Sequence, residues 1–257
     1  MTKFLICGDT HLQDEVLDSA HTLYKALECD KLILMGDYMD DWGDTPEMAR
    51  RHLTKLMDML THDENIIALI GNHDMAYVIQ QLGYGWTAPK QRAWDEIANI
   101  SRLQVAFQHD NWLFTHAGLT RAWAKYASNL DINTKRSNGI QEFIDRMDFH
   151  DDEKWLADYF YRYPGVFRSI GPARGGFGKG SPTWADWSEL IADPIEGRHQ
   201  IVGHTPQEKS QYKFKKGSHL ICCDTWSNGN EGDFLLWEDG SVYTLDSTGR
   251  KTSQLVG

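Results

Sequence analysis

Short apolar runs alternate with amphipathic stretches along the first part of the chain. The runs at 3–7, 32–35 and 66–70 are almost wholly apolar, which is typical of strands that are buried on both faces. Between them, residues 16–29 and a segment that begins at Thr45, followed by a proline, carry apolar side chains at helical spacing. This alternation predicts a parallel sheet with helices on its faces.

The remainder of the chain predicts further helices and strands. Helices are predicted at 89–100, 121–128, 139–147 and 153–159, and strands at 103–107, 112–115, 199–203, 219–224, 233–237 and 242–245. Asp110-Asn111 is predicted to join two strands, and Asp239-Gly240 to form a hairpin turn. The glycine-rich stretch 171–182 is predicted to be a loop, either a flexible substrate loop or a plain surface connection. Without an internal repeat or linker, residues 1–257 are predicted to form a single domain.

Composition and charge exclude several classes of protein. No stretch approaches the roughly 18 apolar residues of a membrane span, and the apolar run before Gly8 is too short for a secretory signal. We therefore expect a cytoplasmic protein with no membrane partner. The formal net charge of -11 disfavours broad nucleic-acid binding, although divalent cations in a site would offset part of it locally. The four cysteines lack the spacing of a zinc site, and we expect small buried side chains in a reducing compartment.

Five polar clusters each follow an apolar run that is predicted to be a strand. They are Gly8-Asp9-Thr10-His11, Gly36-Asp37-Tyr38-Met39-Asp40, Gly71-Asn72-His73-Asp74, Thr115-His116-Ala117-Gly118 and Gly203-His204-Thr205. Open α/β sheets bind ligands beyond the carboxyl ends of their strands. Carboxylate, amide and imidazole groups that converge there predict a cation site with mixed oxygen and nitrogen ligands.

Six side chains in these clusters are the candidate metal ligands: Asp9, His11, Asp37, Asn72, His116 and His204. Residues two apart in an extended segment point the same way, so Asp9 and His11 can hold one cation from one side. The two oxygens of Asp37 allow that carboxylate to bridge two cations. The set suffices for two metals about 3.5–4 Å apart, which would generate a bridging hydroxide near neutral pH to attack phosphorus.

His73 and Asp40 are predicted to act together as the general acid. His73 follows Asn72 directly and is placed to protonate the leaving oxygen. Asp40 can accept a hydrogen bond from that imidazole and keep it charged and oriented. Asp74, close to a predicted helix start, is expected to have a structural role. Trp42, together with Trp184 and Trp187, is a candidate for the lining of a cleft.

The motifs GDTH, GDYMD, GNHD, HAG and GHT occur here in the order typical of the calcineurin-like metallophosphoesterases. The chain resembles that family over about residues 3–206, and within it the phosphoprotein-phosphatase branch, which includes bacterial and phage protein phosphatases and diadenosine tetraphosphatases. The resemblance implies an α/β sandwich of two mixed β-sheets flanked by helices. It also implies two divalent metal ions, with manganese favoured and iron or zinc acceptable.

The resemblance assigns roles to the ligands individually. Asp9, His11 and Asp37 would hold the first metal. The second would be held by Asp37 together with three further side chains, which are Asn72, His116 and His204. The resemblance also implies that His73 and Asp40 form the acid pair.

Two departures from the branch pattern bear on the substrate. The branch has an arginine after GD-x-x-D that contacts substrate phosphate, whereas Asp41 and Trp42 stand here. Arg174 or Arg121 is therefore predicted to anchor the phosphate instead. The late motif, at His204, lacks a second histidine, which fits the phosphoprotein-phosphatase branch rather than the nuclease and phosphodiesterase branches.

The sequence thus predicts hydrolysis of phosphate monoesters, with a phosphorylated protein or small molecule as substrate. Two alternatives stay open. One is a dinucleoside polyphosphate hydrolase, which would need a closed pocket lined by aromatic side chains. The other is a binding module that keeps the fold without turnover, because an acid at Asp41 replaces the expected arginine.

Overall fold

A computed structural model describes residues 1–132, 152–227 and 231–257 of the chain. Over these residues it shows the predicted architecture, a sandwich of two mixed β-sheets flanked by α-helices. In chain order β1 to β12, the strands are Lys3–Cys7, Lys31–Leu34, Ile66–Leu69, Leu103–Gln104, Phe107–His109, Trp112–Phe114, His199–Val202, Gln211–Lys215, Ser218–Cys222, Phe234–Glu238, Ser241–Leu245 and Lys251–Val256.

Seven α-helices are present in the described residues and pack around the two sheets. In order α1 to α7 they are Asp14–Ala26, Pro46–His62, Asn72–Val78, Ala88–Ile97, Arg121–Ile132, Asp152–Arg162 and Trp187–Ala192, with short 3-10 helices at Ile100–Arg102, Pro164–Arg168 and Pro172–Arg174. As predicted, Thr45 caps α2, and its side chain accepts the backbone N–H of Met48. No helix in the described part of the chain is both long and apolar enough to cross a bilayer.

The larger sheet has seven strands in the order β12-β11-β10-β1-β2-β3-β4. Strands β1 to β4 are parallel, and β10 pairs antiparallel with β1. The smaller sheet has the order β5-β6-β7-β9-β8, in which β6, β7 and β9 are parallel. Each sheet therefore brings the carboxyl ends of neighbouring parallel strands to one edge, and the polar clusters lie there.

Side chains alternate between two cores along the central strands. Phe4 and Ile6 of β1 point between the two sheets, where Phe114 and Ile221 of the smaller sheet also pack. Leu5 and its alternate neighbours point the other way, against α1 and α2. Burial on both faces explains the wholly apolar strands. The four cysteines are free and buried, as expected.

The strands differ from the sequence predictions in two respects. The predicted strand 103–107 is two strands, β4 in the larger sheet and β5 in the smaller, because the chain passes from one sheet to the other at that point. Strands β8 and β12 were not predicted, since their side chains are largely exposed and lack the apolar runs used to find the others. The predicted helix 139–147 lies outside the described residues.

Candidate metal and phosphoester site

The five polar clusters meet in one cavity of about 830 Å³ at the strand ends. Its lining is His11, Gln13, Asp37, Asp40, Asp41, Trp42, Asn72, His73, Tyr84, Arg174, Trp184, His204, Pro206, Asp224 and Ser227. Asp9 and His116 lie beneath it, fully buried. All six candidate metal ligands are therefore grouped at this end of the sandwich.

Two groups of potential metal-ligating atoms overlap at Asp37. One group is His11, Asp37 and His73, and the other is Asp37, His116 and His204. Within each group the donor atoms lie within 4.8 Å of one another. A carboxylate shared by two such groups is the arrangement that a bridging ligand requires.

His116 is held so that one ring nitrogen faces the site. Its Nδ1 lies 2.8 Å from the carbonyl oxygen of Met35, which can only accept, so Nδ1–H donates. The Nε2 atom then faces the amide oxygen of Asn72 at 2.9 Å, Nδ1 of His204 at 3.2 Å and Asp37 at 3.4 Å. Four potential ligand atoms thus converge, as they do around a bound cation.

His11 is oriented in the same way from the opposite side. Its Nδ1 donates to the carbonyl oxygen of Asp40 at 2.9 Å, which leaves Nε2 directed to Asp37 at 3.8 Å. A carbonyl that fixes the tautomer of a ligand imidazole is a common outer-shell contact in metal sites. His11 and His116 therefore both direct Nε2 towards Asp37.

Burial and neighbouring charges shift the pKa values of the ionisable groups in the site. Burial and the charge of Asp224 raise the pKa of Asp9 well above its usual range. Burial would also raise the pKa of Asp37, but His116 and His73 lower it well below that range. Burial and the neighbouring His116 lower the pKa of His204. Burial and neighbouring charges therefore shift the pKa values of these groups in opposite directions, and neither effect cancels the other completely.

Divalent cations fit this set of donors. His204 Nε2 and Asp224 Oδ2 are buried and have no hydrogen-bond partner among the described residues. Burial would lower the pKa of His116, yet Asp37 and Asp9 raise it to about 10. A proton on the His116 imidazole therefore supplies positive charge next to these two carboxylates. A cation ligated by oxygen and imidazole would supply the same charge.

Asp224 is a functional candidate that the sequence analysis missed. It lies two residues beyond β9, is fully buried, and accepts a hydrogen bond from the Ser227 hydroxyl at 2.6 Å. Its charge is close enough to raise the pKa of Asp9. The signal was present, because an acid also ends the predicted strand 219–224, but Asp224 was counted within that strand.

The backbone at the ligands is strained into the left-handed region. His11, Asp37, Asp40 and His204 have positive φ values of 39°, 55°, 73° and 67°. Such residues cost free energy and cluster at functional sites. Glycine is required nearby as well, since a Cβ at Gly71 would overlap the Asp37 carboxylate.

Asp74 has the structural role expected of it. Its carboxylate accepts the backbone N–H groups of Asp37, Tyr38, Met39 and Gly71 at 2.8–3.2 Å. Burial and the charge of Asp37 raise its pKa to about 6. Asp74 therefore joins the loops after β2 and β3 and sets the position of Asp37.

His73 and Asp40 are in contact, as the acid-pair prediction requires. His73 Nδ1 lies 3.3 Å from Asp40 Oδ2. The other oxygen of Asp40 accepts from the Tyr77 hydroxyl at 2.6 Å and from the buried Lys90 ammonium at 2.7 Å. Burial would lower the pKa of His73, but Asp37 and Asp40 raise it above its usual value. Lys90 was not anticipated, because a lone lysine on a helix carries no sequence signal for such a contact.

The two candidate phosphate anchors lie in different places. Arg174 lines the cavity, where it pairs with Asp186 and donates to the carbonyl oxygen of His204 at 3.0 Å. Arg121 pairs with Asp193 at 3.2 Å and is not part of the cavity lining, so the structure does not place it at the site. Arg121 is the first residue of α5, and its ion pair with Asp193, which precedes β7, holds its side chain away from the cavity.

The three tryptophans proposed for a cleft also divide. Trp42 and Trp184 line the cavity, whereas Trp187 does not. Trp187 packs with Leu190 and Val202 on the outer face of the smaller sheet, because it is the first residue of α7 and faces the core. The loop 171–182 contributes Arg174 to the lining.

Two sheets present oxygen and nitrogen donors at one edge, where these groups could hold a metal ion. The sequence matches the family model of the calcineurin-like phosphoesterases over residues 2–212, and the chain belongs to that family. No curated protein gives a significant match to the sequence.

Solved structures show the same fold. The cold-active protein tyrosine phosphatase of a psychrophilic Shewanella species is 18% identical, with 99% of this chain and 80% of that chain covered and a TM-score of 0.57. A point mutant of a cold-active protein tyrosine phosphatase has the same identity and coverage and a TM-score of 0.61.

Proposed function

We propose that this chain hydrolyses phosphate monoesters in a reaction that depends on two divalent cations, with manganese the favoured metal. The observation that carries the proposal is the pair of donor groups that share Asp37. Asp9, His11 and Asp37 would hold one cation, and Asp37, Asn72, His116 and His204 the other. Bound there, the cations would supply positive charge to the phosphoryl oxygens and lower the pKa of a water molecule.

The protein's own groups would orient the substrate and move a proton. His73, raised in pKa and held by Asp40, would donate a proton to the leaving oxygen. Arg174 at the cavity wall would bind a phosphate oxygen. In net terms water adds across the ester bond, with its hydroxyl going to phosphorus and a proton reaching the leaving oxygen through His73.

The test is metal-dependent turnover of a phosphate monoester by the purified chain. With Mn²⁺, we expect hydrolysis that chelation abolishes and that falls at least about a thousandfold in Asp37→Asn, because both donor groups lose the shared carboxylate. Asp246→Asn, between β11 and β12 and outside the cavity lining, is the matched control and should keep full activity.

Activity that survives both chelation and Asp37→Asn would contradict the proposal. Bound manganese without turnover of any substrate in a broad phosphoester panel would favour the binding module instead. Metal content, measured by elemental analysis on each variant, separates loss of metal from loss of chemistry.

A further inference from the structure

Two large aromatic side chains lie exposed at the mouth of the cavity beside His73. Trp42 is 83% exposed and Tyr84 is 61% exposed, and both line the cavity. Their ring centroids are 5.6 Å apart in an edge-to-face arrangement, and Tyr84 is 6.0 Å from the His73 ring. Neighbouring exposed aromatic rings at a cavity mouth are typical of a binding surface.

The loop that carries Trp42 is held in place by hydrogen bonds. The Trp42 N–H donates to the Asp41 carboxylate at 2.7 Å, and the Asp41 N–H donates to Asp44 at 2.9 Å. Lys90 donates to Asp44 at 2.7 Å and, at the same distance, to Asp40. The ammonium group that steadies the acid pair therefore also fixes the loop of Trp42.

The segment that carries Tyr84 is anchored independently. Arg168 donates to the side chain of Gln81 at 2.7 Å and to the carbonyl oxygen of Leu82 at 2.9 Å. The next residue after Tyr84 is Gly85, with φ of +78°, where a Cβ would contact the Asp40 carboxyl group. Glycine at this position lets the segment pass close to the acid pair.

We propose that Trp42 and Tyr84 form a subsite for an aromatic leaving group, so that the preferred substrates are phosphate monoesters of phenols. The proposal rests on the proposed function and specifies its substrate class. The His73 and Tyr84 rings are neighbours, with centroids 6.0 Å apart. The leaving group, whose oxygen His73 would protonate, would therefore lie against Trp42 and Tyr84. A phenol ring would contact both the Trp42 and the Tyr84 ring by edge-to-face or offset packing. A serine side chain is too small to contact either ring in this way.

The experiment compares an aryl with an alkyl leaving group in matched variants. Turnover of phenyl phosphate, free phosphotyrosine, a phosphotyrosine peptide, phosphoserine and adenosine 5′-monophosphate is measured with Mn²⁺ for the unaltered chain, Trp42→Ala, Tyr84→Ala and the double variant. Phe214→Ala is the control, because Phe214 is also 61% exposed but lies on β8, away from the cavity. Trp42→Phe and Tyr84→Phe keep a ring at each position.

For the three aryl phosphates we expect kcat/KM to fall about 3- to 10-fold in each alanine variant and further in the double variant. Phosphoserine should change less than about twofold. Phe214→Ala should match the unaltered chain, and the phenylalanine variants should keep more of the aryl preference than the alanine variants do. A loss confined to the peptide, or to adenosine 5′-monophosphate, would overturn the proposal. The rings would then contact the peptide or the nucleoside rather than a phenol ring. Equal losses for all substrates, or none, would also overturn it.

A binding measurement separates this proposal from the proposed function. Calorimetry with phenylphosphonate and methylphosphonate, which are not hydrolysed, should show the aryl compound binding more tightly, and the double variant should remove that difference. If no substrate is turned over but the difference in binding exists, the subsite stands and the proposed function fails. If turnover depends on metal but the two phosphonates bind alike, the subsite is wrong and the function stands.

Discussion

The inner half of the cavity and its rim are built in different ways. Asp9, Asp37 and His116 are at most 2% exposed and are fixed by backbone hydrogen bonds at the ends of central strands. At the rim, Trp42 and Tyr84 are largely exposed on loops. Binding specificity resides in such loops more readily than in a sheet. In the proposed function, the fold would position the metal ligands and the loops would determine which substrates bind.

His73 lies on the boundary between the two halves. It belongs to one of the two groups of potential metal-ligating atoms, yet it also contacts Asp40 and faces Tyr84. In the proposed function it donates a proton and holds no metal. Substitution of His73 is expected to lower activity more than the substitutions that follow. The metal content of the variant shows whether His73 belongs to the inner half or to the rim.

We predict that His73→Asn lowers kcat by about 10²- to 10⁴-fold, the range typical of a lost general acid. The manganese content should stay unchanged, because the proposed ligands are intact. His62→Asn, an exposed histidine on α2, is the control. Loss of one metal equivalent in His73→Asn would show instead that His73 is a ligand and belongs to the inner half.

Asp224 tests whether the inner half extends beyond the predicted ligands. We predict that Asp224→Asn weakens manganese affinity about 10- to 100-fold, as loss of an outer-shell group does. The same substitution should raise the melting temperature of the metal-free protein, because it removes the repulsion between Asp224 and Asp9. Metal titration and thermal unfolding measure the two effects. An unchanged affinity would place Asp224 outside the metal site.

The inner half could be predicted from the sequence because each side chain follows a buried strand. Parallel strands end at a common edge, so Asp9 and Asp37 meet although 28 residues separate them in the chain. Asp224 follows the same rule, and it was missed because the predicted strand extended two residues past the observed end of β9. The locations of these residues follow from topology, and topology follows from the apolar pattern.

The rim could not be predicted to the same extent. Tyr84 and Lys90 lie far along the chain from His11 and Asp40, in segments with no repeating pattern that links them to a strand end. Their positions depend on tertiary contacts, such as the ion pairs of Lys90 with Asp40 and Asp44. Such contacts are specific to one packing arrangement and leave no periodic signal.

Arg174 and Arg121 test which arginine contributes to substrate binding at the rim, and the expected change in KM is the smallest effect predicted here. We predict that Arg174→Ala raises KM for a phosphate monoester by about 3- to 10-fold, which is less than the usual contribution of a hydrogen bond to a charged group, because Asp186 already engages the guanidinium. Arg121→Ala should leave KM unchanged, since its partner is Asp193 outside the cavity. Steady-state kinetics with Mn²⁺ measure both.

A conservative variant separates the charge of Arg174 from its structural contacts. Arg174→Lys keeps a cation at the wall but loses the fork that reaches both the His204 carbonyl oxygen and the Thr205 hydroxyl. If Arg174 binds phosphate, the lysine variant should recover part of the lost affinity. If it only braces the loop of His204, Arg174→Lys and Arg174→Ala should behave alike and both should also weaken manganese binding. In that case Arg174 would belong to the inner half, and the aromatic pair at Trp42 and Tyr84 would be the principal substrate contact of the rim.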